Sequence, residues 1–354
     1  MDSANNTDAV WEQRWHPLRR EWVIVASHRN TRPWSGKTEN IAEADAPAYD
    51  PTCYLCPGNP RSGGALNPPY EGVFVFTNDH PPTGPDAPEA NDNDGLYRVT
   101  PARGLCRVVC YSPRHDLPLA LLPVEQVAAL IEAWRDEYVS LGARPEVSHV
   151  LIFENKGKEV GVSNPHPHCQ IYATNFVFSL VEREEAAATE YRERTGRNLF
   201  ADVIAAEQRD GRRIIAENER AIAFVPFFAR YAYEVYVLPK AHRRSLADLT
   251  AEDVRDLAAV LQTVLIKYDN LFSMPFPYLL AIHQAPTDGG SHDEFYLHIE
   301  LQPPLRQPGL LKFLAGPELG GGNFLSDTSP EAKAAELQAA GSIHYLQNTH
   351  RPVE

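Results

Sequence analysis

The chain has 354 residues, the length of about two domains of ordinary size. Its hydrophobic fraction of 43% and charged fraction of 23% are those of a globular protein with ample core. The net charge of −14 argues against nucleic acid or an anionic membrane as a partner. No apolar run has the length of a signal peptide or a membrane helix, and five cysteines make no secreted disulfide framework. We therefore expect a cytoplasmic protein.

The first predicted element is a short strand at residues 22–25, rich in β-forming side chains. It leads into a loop that carries Arg29 and Arg32. The forked guanidinium group of arginine is a common partner for phosphate oxygens. Taken alone, this segment is equally well interpreted as a solvated loop with two charges.

Cys53 and Cys56 form a Cys-x-x-Cys pair, which indicates half of a zinc site or a redox pair. No βαβ pattern surrounds the pair, and this disfavours the redox interpretation. Because a second Cys-x-x-Cys is absent, the two missing zinc ligands would most naturally be histidines. A strand is predicted at residues 72–77, ending at Asn78 and Asp79, and a long surface loop is predicted at 80–97.

Two similar successions of elements follow. The first has a strand at 106–111, an amphipathic helix at 123–134 and a strand at 147–155. The second has a strand at 233–238, a helix capped by Thr250 over 251–272, and strands at 277–284 and 295–302. This self-similarity predicts a duplicated α+β unit. Residues 180–197 predict a connecting helix, on which Glu184 is expected, by base rate, to be solvated.

The strongest candidate site is the stretch 163–172, which contains His166, Pro167, His168 and Gln170. If this stretch is a strand, both imidazoles lie on one face. The prolines cannot donate to a ladder, so they predict an edge strand or a strand entrance. Two adjacent imidazoles can bind a metal, move protons or attack a phosphorus atom.

Aligning the two copies compares this stretch with residues 298–302. The alignment pairs His166 with His298, His168 with Glu300, and Gln170 with Gln302. If His168 is a nucleophile, the second copy lacks one, and we expect one catalytic site per duplicated chain.

Six motifs in this order resemble the galactose-1-phosphate uridylyltransferase family of the histidine-triad superfamily, over nearly the whole chain. They are Arg-Glu-Trp-Val…His-Arg…Arg-Pro-Trp (20–34), Cys-x-x-Cys-Pro-Gly (53–58), Phe-Thr-Asn-Asp (76–79), Ser-Pro-Arg-His (112–115), Glu-Asn-Lys-Gly (154–157) and Ser-Asn-Pro-His-Pro-His-x-Gln (163–170). The resemblance implies two histidine-triad-like domains, residues 5–178 and 179–350, with a largely antiparallel half-barrel sheet and flanking helices.

The resemblance also implies a ping-pong reaction. UDP-glucose gives its uridylyl group to His168, glucose 1-phosphate leaves, and galactose 1-phosphate takes the group to become UDP-galactose. A neutral imidazole is nucleophilic at pH 7 when its other nitrogen is held as N–H by a fixed acceptor. By the same resemblance, Gln170 is the second catalytic residue and contacts the α-phosphate.

The remaining substrate contacts are implied by position in the family. Asn155 and Ser163 would contact phosphate oxygens, and four residues would read the uridine end: Leu55, Phe76, Asn78 and Asp79. Arg29 and Arg32 would clamp the sugar phosphate from the partner subunit of a homodimer. Lys312 and Glu318 lie in the segment that binds the hexose.

Two metal sites are implied in the same way. The first is a structural zinc with four ligands: Cys53, Cys56, His115 and His166. Zinc on His166 would anchor the strand that carries His168. The second is a possible iron or zinc site made by Glu184, His283, His298 and Glu300, with Glu300 in the place of the family's third histidine.

The chain departs from the family at Cys169, where glycine is commoner, at Pro317, where an aromatic is familiar, and in 320–324, which supplies no glutamine. A nucleotidylyltransferase or phosphorylase that uses another nucleotide sugar, such as ADP-glucose, is the main alternative. A histidine-triad hydrolase is disfavoured because Gln170 stands where that branch has a third histidine. A non-catalytic zinc-stapled binding protein is disfavoured by the presence of both His168 and Gln170.

Overall fold

The computed structural model describes residues 10–31, 46–90 and 95–348. The strands are β1 Trp11–His16, β2 Glu21–Ala26, β3 Phe74–Thr77, β4 Gly104–Cys110, β5 His149–Lys156, β6 His168–Thr174, β7 Ile214–Glu217, β8 Ala221–Phe224, β9 Val235–Pro239, β10 Tyr278–His283, β11 His298–Gln302, β12 Leu305–Gln307, β13 Leu310–Leu311 and β14 Leu325–Ser326. The helices are α1 Val124–Gly142, α2 Ser179–Thr195, α3 Leu199–Asp210, α4 Ala251–Phe272, α5 Pro330–Ala339 and α6 Tyr345–Asn348.

Nine strands form one antiparallel sheet in the order β3-β4-β6-β5-β10-β11-β9-β8-β7. β5 and β10 pair at its centre, with Phe153 opposite Ala281. On one side of this pair lie β6 and β4, and on the other side lie β11 and β9, so the two halves repeat the same order outward. The duplicated α+β unit with a largely antiparallel, open sheet is therefore confirmed.

Helices α1 and α4 pack together on one face of this sheet and build the main core. The apolar side chains of α1 recur at helical spacing, as Val127, Leu130, Ile131 and Trp134 show, and all four are buried. α4 begins at Thr250 with a capping box, since the Thr250 side chain accepts from the backbone N–H of Asp253 and the Asp253 carboxylate accepts in return. The predicted cap and bounds of α4 are therefore confirmed.

The opposite face of the sheet differs between the two halves. In the second half it is covered by α2 and α3, whose Ala188 and Phe200 pack with Phe224 and Tyr236 of the sheet. In the first half the same face carries side chains from alternate positions of β6. Cys169 and Ile171 point into the main core, so His168 and Gln170 point the other way. The fold thus leaves one face of the first half available for a site.

The predicted strands of both copies are present with shifts of one to three residues at their ends, and α1 extends eight residues beyond the predicted position 134. Nine elements were not predicted from the sequence: β1, β7, β8, β12, β13, β14, α3, α5 and α6. The stretch 163–167 precedes β6, which lies between β4 and β5. The strand-entrance interpretation of Pro165 and Pro167 is therefore confirmed, and the edge-strand interpretation is wrong.

A smaller sheet of three strands, β1, β2 and β14, pairs a segment near the start of the chain with one near its end. β14 runs parallel to β2, with Leu325 opposite Ile24, and β2 also pairs with β1. The segment that follows β2, predicted as a loop, is a short 3₁₀ helix, Ser27–Thr31, that carries Arg29. The turn that follows β14 carries Asp327. Parallel neighbouring strands end on the same side, so the fold brings these two side chains together. Among the described helices, none has both the length and the apolar character needed to cross a membrane.

Candidate active site and metal clusters

His168 is the first residue of β6 and is held by its own backbone turn. Its Nδ1–H donates to the carbonyl oxygen of His166 at 2.7 Å, which leaves Nε2 with its lone pair directed away from that turn. Burial lowers the pKa of His168, and the bond to the His166 carbonyl offsets this only in part. The ring is therefore neutral at pH 7, the state in which Nε2 can act as a nucleophile.

His168 faces a cavity of about 340 Å³. Seven residues predicted from the sequence to form the site line this cavity or its continuation: Leu55, Phe76, Asn78, Asp79, Ser163, His168 and Gln170. A smaller space of about 40 Å³, also lined by His168, adds Asn155 and shares Ser163 and Gln170. The structure thus brings the predicted catalytic, phosphate and uridine residues of the first half together.

The polar groups beside His168 are linked to one another. The Gln170 side-chain oxygen accepts from the Asn78 amide at 3.5 Å and from the Tyr172 hydroxyl at 3.3 Å, so its amide group remains available to a ligand. The Arg61 guanidinium stacks on the Phe76 ring at 4.4 Å. Among the described residues that line the two spaces, none is lysine or arginine. The Arg61 guanidinium beside this lining also lies 3.6 Å from the Asp79 carboxylate, so a pyrophosphate bound here would take further positive charge from another surface.

The first metal cluster lies immediately before His168. The ligand atoms of Cys53, Cys56, His115 and His166 all lie within 4.8 Å of one another, and all four residues are buried. His166 Nδ1 is 3.5 Å from Cys56 Sγ, and His166 Nε2–H donates to the Ser112 carbonyl at 3.1 Å. Two sulfurs and two imidazole nitrogens fit a closed zinc site. The other ring nitrogen of His166, Nε2, is fixed by a carbonyl, as is usual for a histidine that binds a metal.

The protonation of His166 fits the same interpretation, whereas the Cys56 thiol would lose its proton only on binding the ion. Burial raises the pKa of the Cys56 thiol to about 11, so a cation among these groups is what would keep the sulfur ionised. Burial also lowers the pKa of His166 to about 4, which keeps Nδ1 unprotonated as a ligand must be. The predicted set can therefore hold a metal ion.

The sequence analysis missed two residues that support this cluster. Asn164 accepts the backbone N–H of His166 at 2.9 Å, and its amide lies 3.5 Å from Cys53 Sγ. The Tyr70 hydroxyl lies 3.3 Å from His166 Nε2 and donates to the Leu55 carbonyl at 2.7 Å. The position of Asn164 inside the histidine motif was a signal for its role, whereas nothing in the sequence singled out Tyr70.

The second cluster contains Glu184, His283, His298 and Glu300, whose ligand atoms also lie within 4.8 Å of one another. Glu184 has only 1% of its surface exposed, so its interpretation as a solvated helix residue is wrong. The reason is that α2 lies against the sheet, where Glu184 accepts from His283 Nδ1–H at 2.7 Å. By distance alone these four residues could hold a metal ion.

The charges around this second cluster fit a metal ion less well than those around the thiol cluster do. Burial opposes ionisation of Glu300, but the Arg19 guanidinium, His283, His298 and the Arg230 guanidinium together outweigh it and hold the pKa of Glu300 well below its usual range. Arg19 Nη2 donates to Glu300 Oε2 at 2.6 Å. Arg19 was not predicted from the sequence, because no local pattern in its turn indicates a partner that lies 281 residues away.

The geometry of His298 corrects the alignment of the two copies. His298 is the first residue of β11, and its Nδ1–H donates to the Tyr296 carbonyl at 2.9 Å. This is the arrangement of His168, not of His166. The structure therefore matches His298 with His168 and Glu300 with Gln170. Sequence spacing could not distinguish two alignments that differ by two residues, since both keep each side chain on its face.

The residues predicted to bind the hexose and to clamp its phosphate lie in a different cavity from His168. Arg29, Lys312 and Glu318 line a separate cavity of about 250 Å³, together with Arg306 and Asp327. Among the described residues, the linings of this cavity and of the His168 cavity share none. Arg32 lies outside the described residues. Within one chain, the structure thus does not bring the predicted clamp to His168.

Asp327 organises this second cavity. It accepts from Arg29 Nε at 2.9 Å and forms an ion pair with Arg306. Lys312 donates to Glu318 at 2.8 Å, and Glu318 also accepts the backbone N–H groups of Ala315 and Leu325. The cavity is therefore rich in fixed cations, which the His168 cavity lacks. Neither Asp327 nor Arg306 was predicted. Asp327 follows the two-residue strand β14 and Arg306 lies inside the three-residue strand β12, and strands this short leave no periodic pattern in the sequence.

Comparison with known proteins agrees with this architecture. The galactose-1-phosphate uridyl transferase N-terminal domain matches residues 2–177, and the C-terminal domain of the same family matches residues 184–349. The galactose-1-phosphate uridylyltransferase of Haemophilus influenzae is 40% identical over 339 residues, which is 95% of this chain and 96% of that protein.

Two solved structures are similar over almost the whole chain. A uridylyltransferase structure has a TM-score of 0.76 with 32% identity and covers 96% of this chain and 100% of its own. The ADP-glucose phosphorylase of Arabidopsis thaliana has a TM-score of 0.73 with 21% identity, over 94% of this chain and 99% of its own, and shows the shared fold. On these matches, the chain belongs to the galactose-1-phosphate uridyl transferase family.

Proposed function

We propose that the protein transfers a uridylyl group between UDP-glucose and galactose 1-phosphate through a uridylyl–histidine intermediate on His168. The observation that carries this proposal is the state of His168, a neutral ring with Nδ1–H held by a carbonyl and Nε2 facing a cavity. Such a ring is prepared to attack phosphorus without a separate base.

The reaction has two displacements at the same phosphorus atom. In the first, His168 Nε2 forms a bond to the α-phosphorus of UDP-glucose, and the bond to the glucose 1-phosphate oxygen breaks. In the second, a phosphate oxygen of galactose 1-phosphate attacks, and the phosphorus–nitrogen bond breaks to give UDP-galactose. Gln170 donates its amide N–H to the α-phosphate as negative charge shifts onto it. Asn155 and Ser163, which share the smaller space with His168, hold the phosphate oxygens.

The uridine end of the substrate fits the wider part of the cavity. Leu55 and Phe76 supply apolar surface, whereas Asn78 and Asp79 supply an amide and a carboxylate that can recognise hydroxyl and amide groups. Zinc in the first cluster would act structurally. Its ligand His166 is two residues before His168, so the cluster fixes the backbone carbonyl that orients the nucleophile. We also propose a cytoplasmic location, because a reducing compartment keeps the thiols of Cys53 and Cys56 available for zinc.

We further propose a homodimer whose subunits share their active sites, with residues 5–178 and 179–350 as the two domains of each chain. The His168 cavity has no lysine or arginine in its described lining, whereas the cavity of Arg29, Arg306 and Lys312 has three cations and no nucleophile. If the partner brings the second cavity over the first, the substrate receives its nucleophile and its phosphate clamp together.

Two assays test the chemistry and the sharing of sites. The protein incubated with uracil-labelled UDP-glucose alone should gain an acid-labile covalent label, whereas ADP-glucose should leave far less. Preferential labelling by ADP-glucose would support the alternative donor. Mixed Arg29→Ala and His168→Ala chains should regain activity after subunit exchange, whereas each variant alone stays impaired. Mixed dimers that form without regaining activity would contradict the shared site.

A further inference from the structure

A permanent cation lies inside the second cluster. The Nη2 atom of Arg19 is 2.6 Å from Glu300 Oε2 and 3.9 Å from Glu184 Oε1. The side chains of all three residues are at most 1% exposed. Glu184 and Glu300 are the two carboxylates that would ligate a metal ion, and a buried guanidinium already lies between them.

The best donor atom of the cluster is also already in use. Glu300 Oε2 accepts from Arg19 and from the Gln302 amide at 2.7 Å. A second buried guanidinium, that of Arg230, lies 3.6 Å from the same oxygen and 3.2 Å from Glu234. A divalent ion among these carboxylates would stand beside two guanidinium groups with no bulk water to screen the repulsion.

The remaining polar atoms point to water instead of an ion. Three acceptor atoms make no hydrogen bond within the described residues, namely Glu184 Oε1, Glu300 Oε1 and His298 Nε2. Three donor atoms of the same cluster are equally unbonded, namely Arg19 Nε, Arg19 Nη1 and Arg230 Nε. A metal ion satisfies acceptors only. Water accepts from the guanidinium groups and donates to the carboxylates, so it satisfies both sets.

We propose that Glu184, His283, His298 and Glu300 form a metal-free ion-pair network in which the Arg19 guanidinium takes the charge-balancing place of a divalent ion. The chain then carries a single metal, at the thiol cluster of Cys53 and Cys56. The inference rests on the buried charges alone and does not depend on the proposed reaction.

Anomalous diffraction at the zinc edge tests this directly. Crystals of the wild-type protein grown with excess Zn²⁺ should show one strong anomalous peak per chain, between Cys53 and His166. A second strong peak within bonding distance of His298 Nε2 would overturn the proposal. This measurement needs no variant, so it decides the matter even if changes in the cluster prevent folding.

Replacing the guanidinium tests the role given to Arg19. The Arg19→Met variant keeps an unbranched apolar stem and removes the guanidinium charge, whereas Arg19→Lys keeps the charge as a matched control. With excess Zn²⁺, Arg19→Met should gain a second peak between Glu184 and His298, and Arg19→Lys should not. An Arg19→Met crystal in which this position stays empty under excess Zn²⁺ would contradict the assignment.

Discussion

His168 and His298 have the same local geometry and opposite surroundings. Each opens its strand, and each donates Nδ1–H to the carbonyl two residues before it, at 2.7 Å and 2.9 Å. His168 then turns Nε2 toward a cavity of about 340 Å³, whereas His298 has no exposed surface. The ring of Phe200 from α3 lies 4.6 Å from the ring of His298.

This difference shows that the backbone turn alone does not make a nucleophile. In the second half, α2 and α3 cover the sheet face that carries His298, and α2 adds Glu184 beside it. In the first half that face is left for a substrate. The duplicated fold thus holds an imidazole by a backbone carbonyl in each copy. In the proposed reaction only the copy that the helices leave uncovered can reach the phosphorus atom of a substrate.

The largest predicted effect separates these two histidines. His168→Ala should lower turnover by at least about 10³-fold, the scale for loss of a covalent nucleophile, with the fold and zinc content unchanged. His298→Ala, its matched control, should keep turnover within about tenfold and lose thermal stability, because it empties a buried polar position. Steady-state kinetics and thermal unfolding measure both. A larger loss of turnover in His298→Ala would break the comparison.

The next effect concerns the cluster that orients His168. His166→Ala should lower zinc well below the expected single ion per chain and reduce thermal stability and activity together, since structural zinc contributes folding free energy. Elemental analysis and thermal unfolding test this. The Cys53→Ala variant should behave alike, whereas Cys106→Ala, a buried thiol outside the cluster, should keep its zinc. Folded, active wild-type protein without metal would contradict the structural role.

A smaller effect is expected at Asp327, which holds Arg29 and Arg306. Asp327→Asn should weaken binding of galactose 1-phosphate by at least about tenfold, because Arg29 and Arg306 lose the carboxylate that fixes their positions and a charge-assisted contact contributes roughly 1.5–3 kcal/mol. Binding of UMP, which lacks the hexose, should be unchanged. Asp293→Asn provides a control, since Asp293 pairs with Arg244 in an exposed ion pair. Calorimetric titration of both ligands measures this. An equal loss of affinity for galactose 1-phosphate and for UMP would contradict the prediction.

The smallest effect is the pH dependence of uridylylation. Burial lowers the pKa of His168 below its ordinary value of 6.5. Since the neutral ring attacks, the rate should fall only as the pH drops through that lowered pKa, and it should change less than about twofold between pH 6.5 and 8. Single-turnover labelling by UDP-glucose across this range measures it. An acid limb centred above pH 6.5 would contradict the burial argument.

The sequence predicted the local parts of the site and missed the distant ones. His166, His168 and Gln170 could be placed because their spacing in one stretch determines their faces. The Arg19–Glu300 pair could not be foreseen, because it joins a turn near the start of the chain to a strand near its end. The division into domains at residues 178 and 179 stays a prediction, since the sheet runs without interruption from β5 to β10.

The central claim is that an open sheet face makes His168, and not its geometric counterpart His298 or its neighbour His166, the carrier of the uridylyl group. The most direct test is mass spectrometry of the protein labelled with UDP-glucose alone and digested under alkaline conditions. The account predicts a uridylyl group on the peptide that contains His168, with fragmentation placing it on that residue. A group on His166 or on His298 would contradict it.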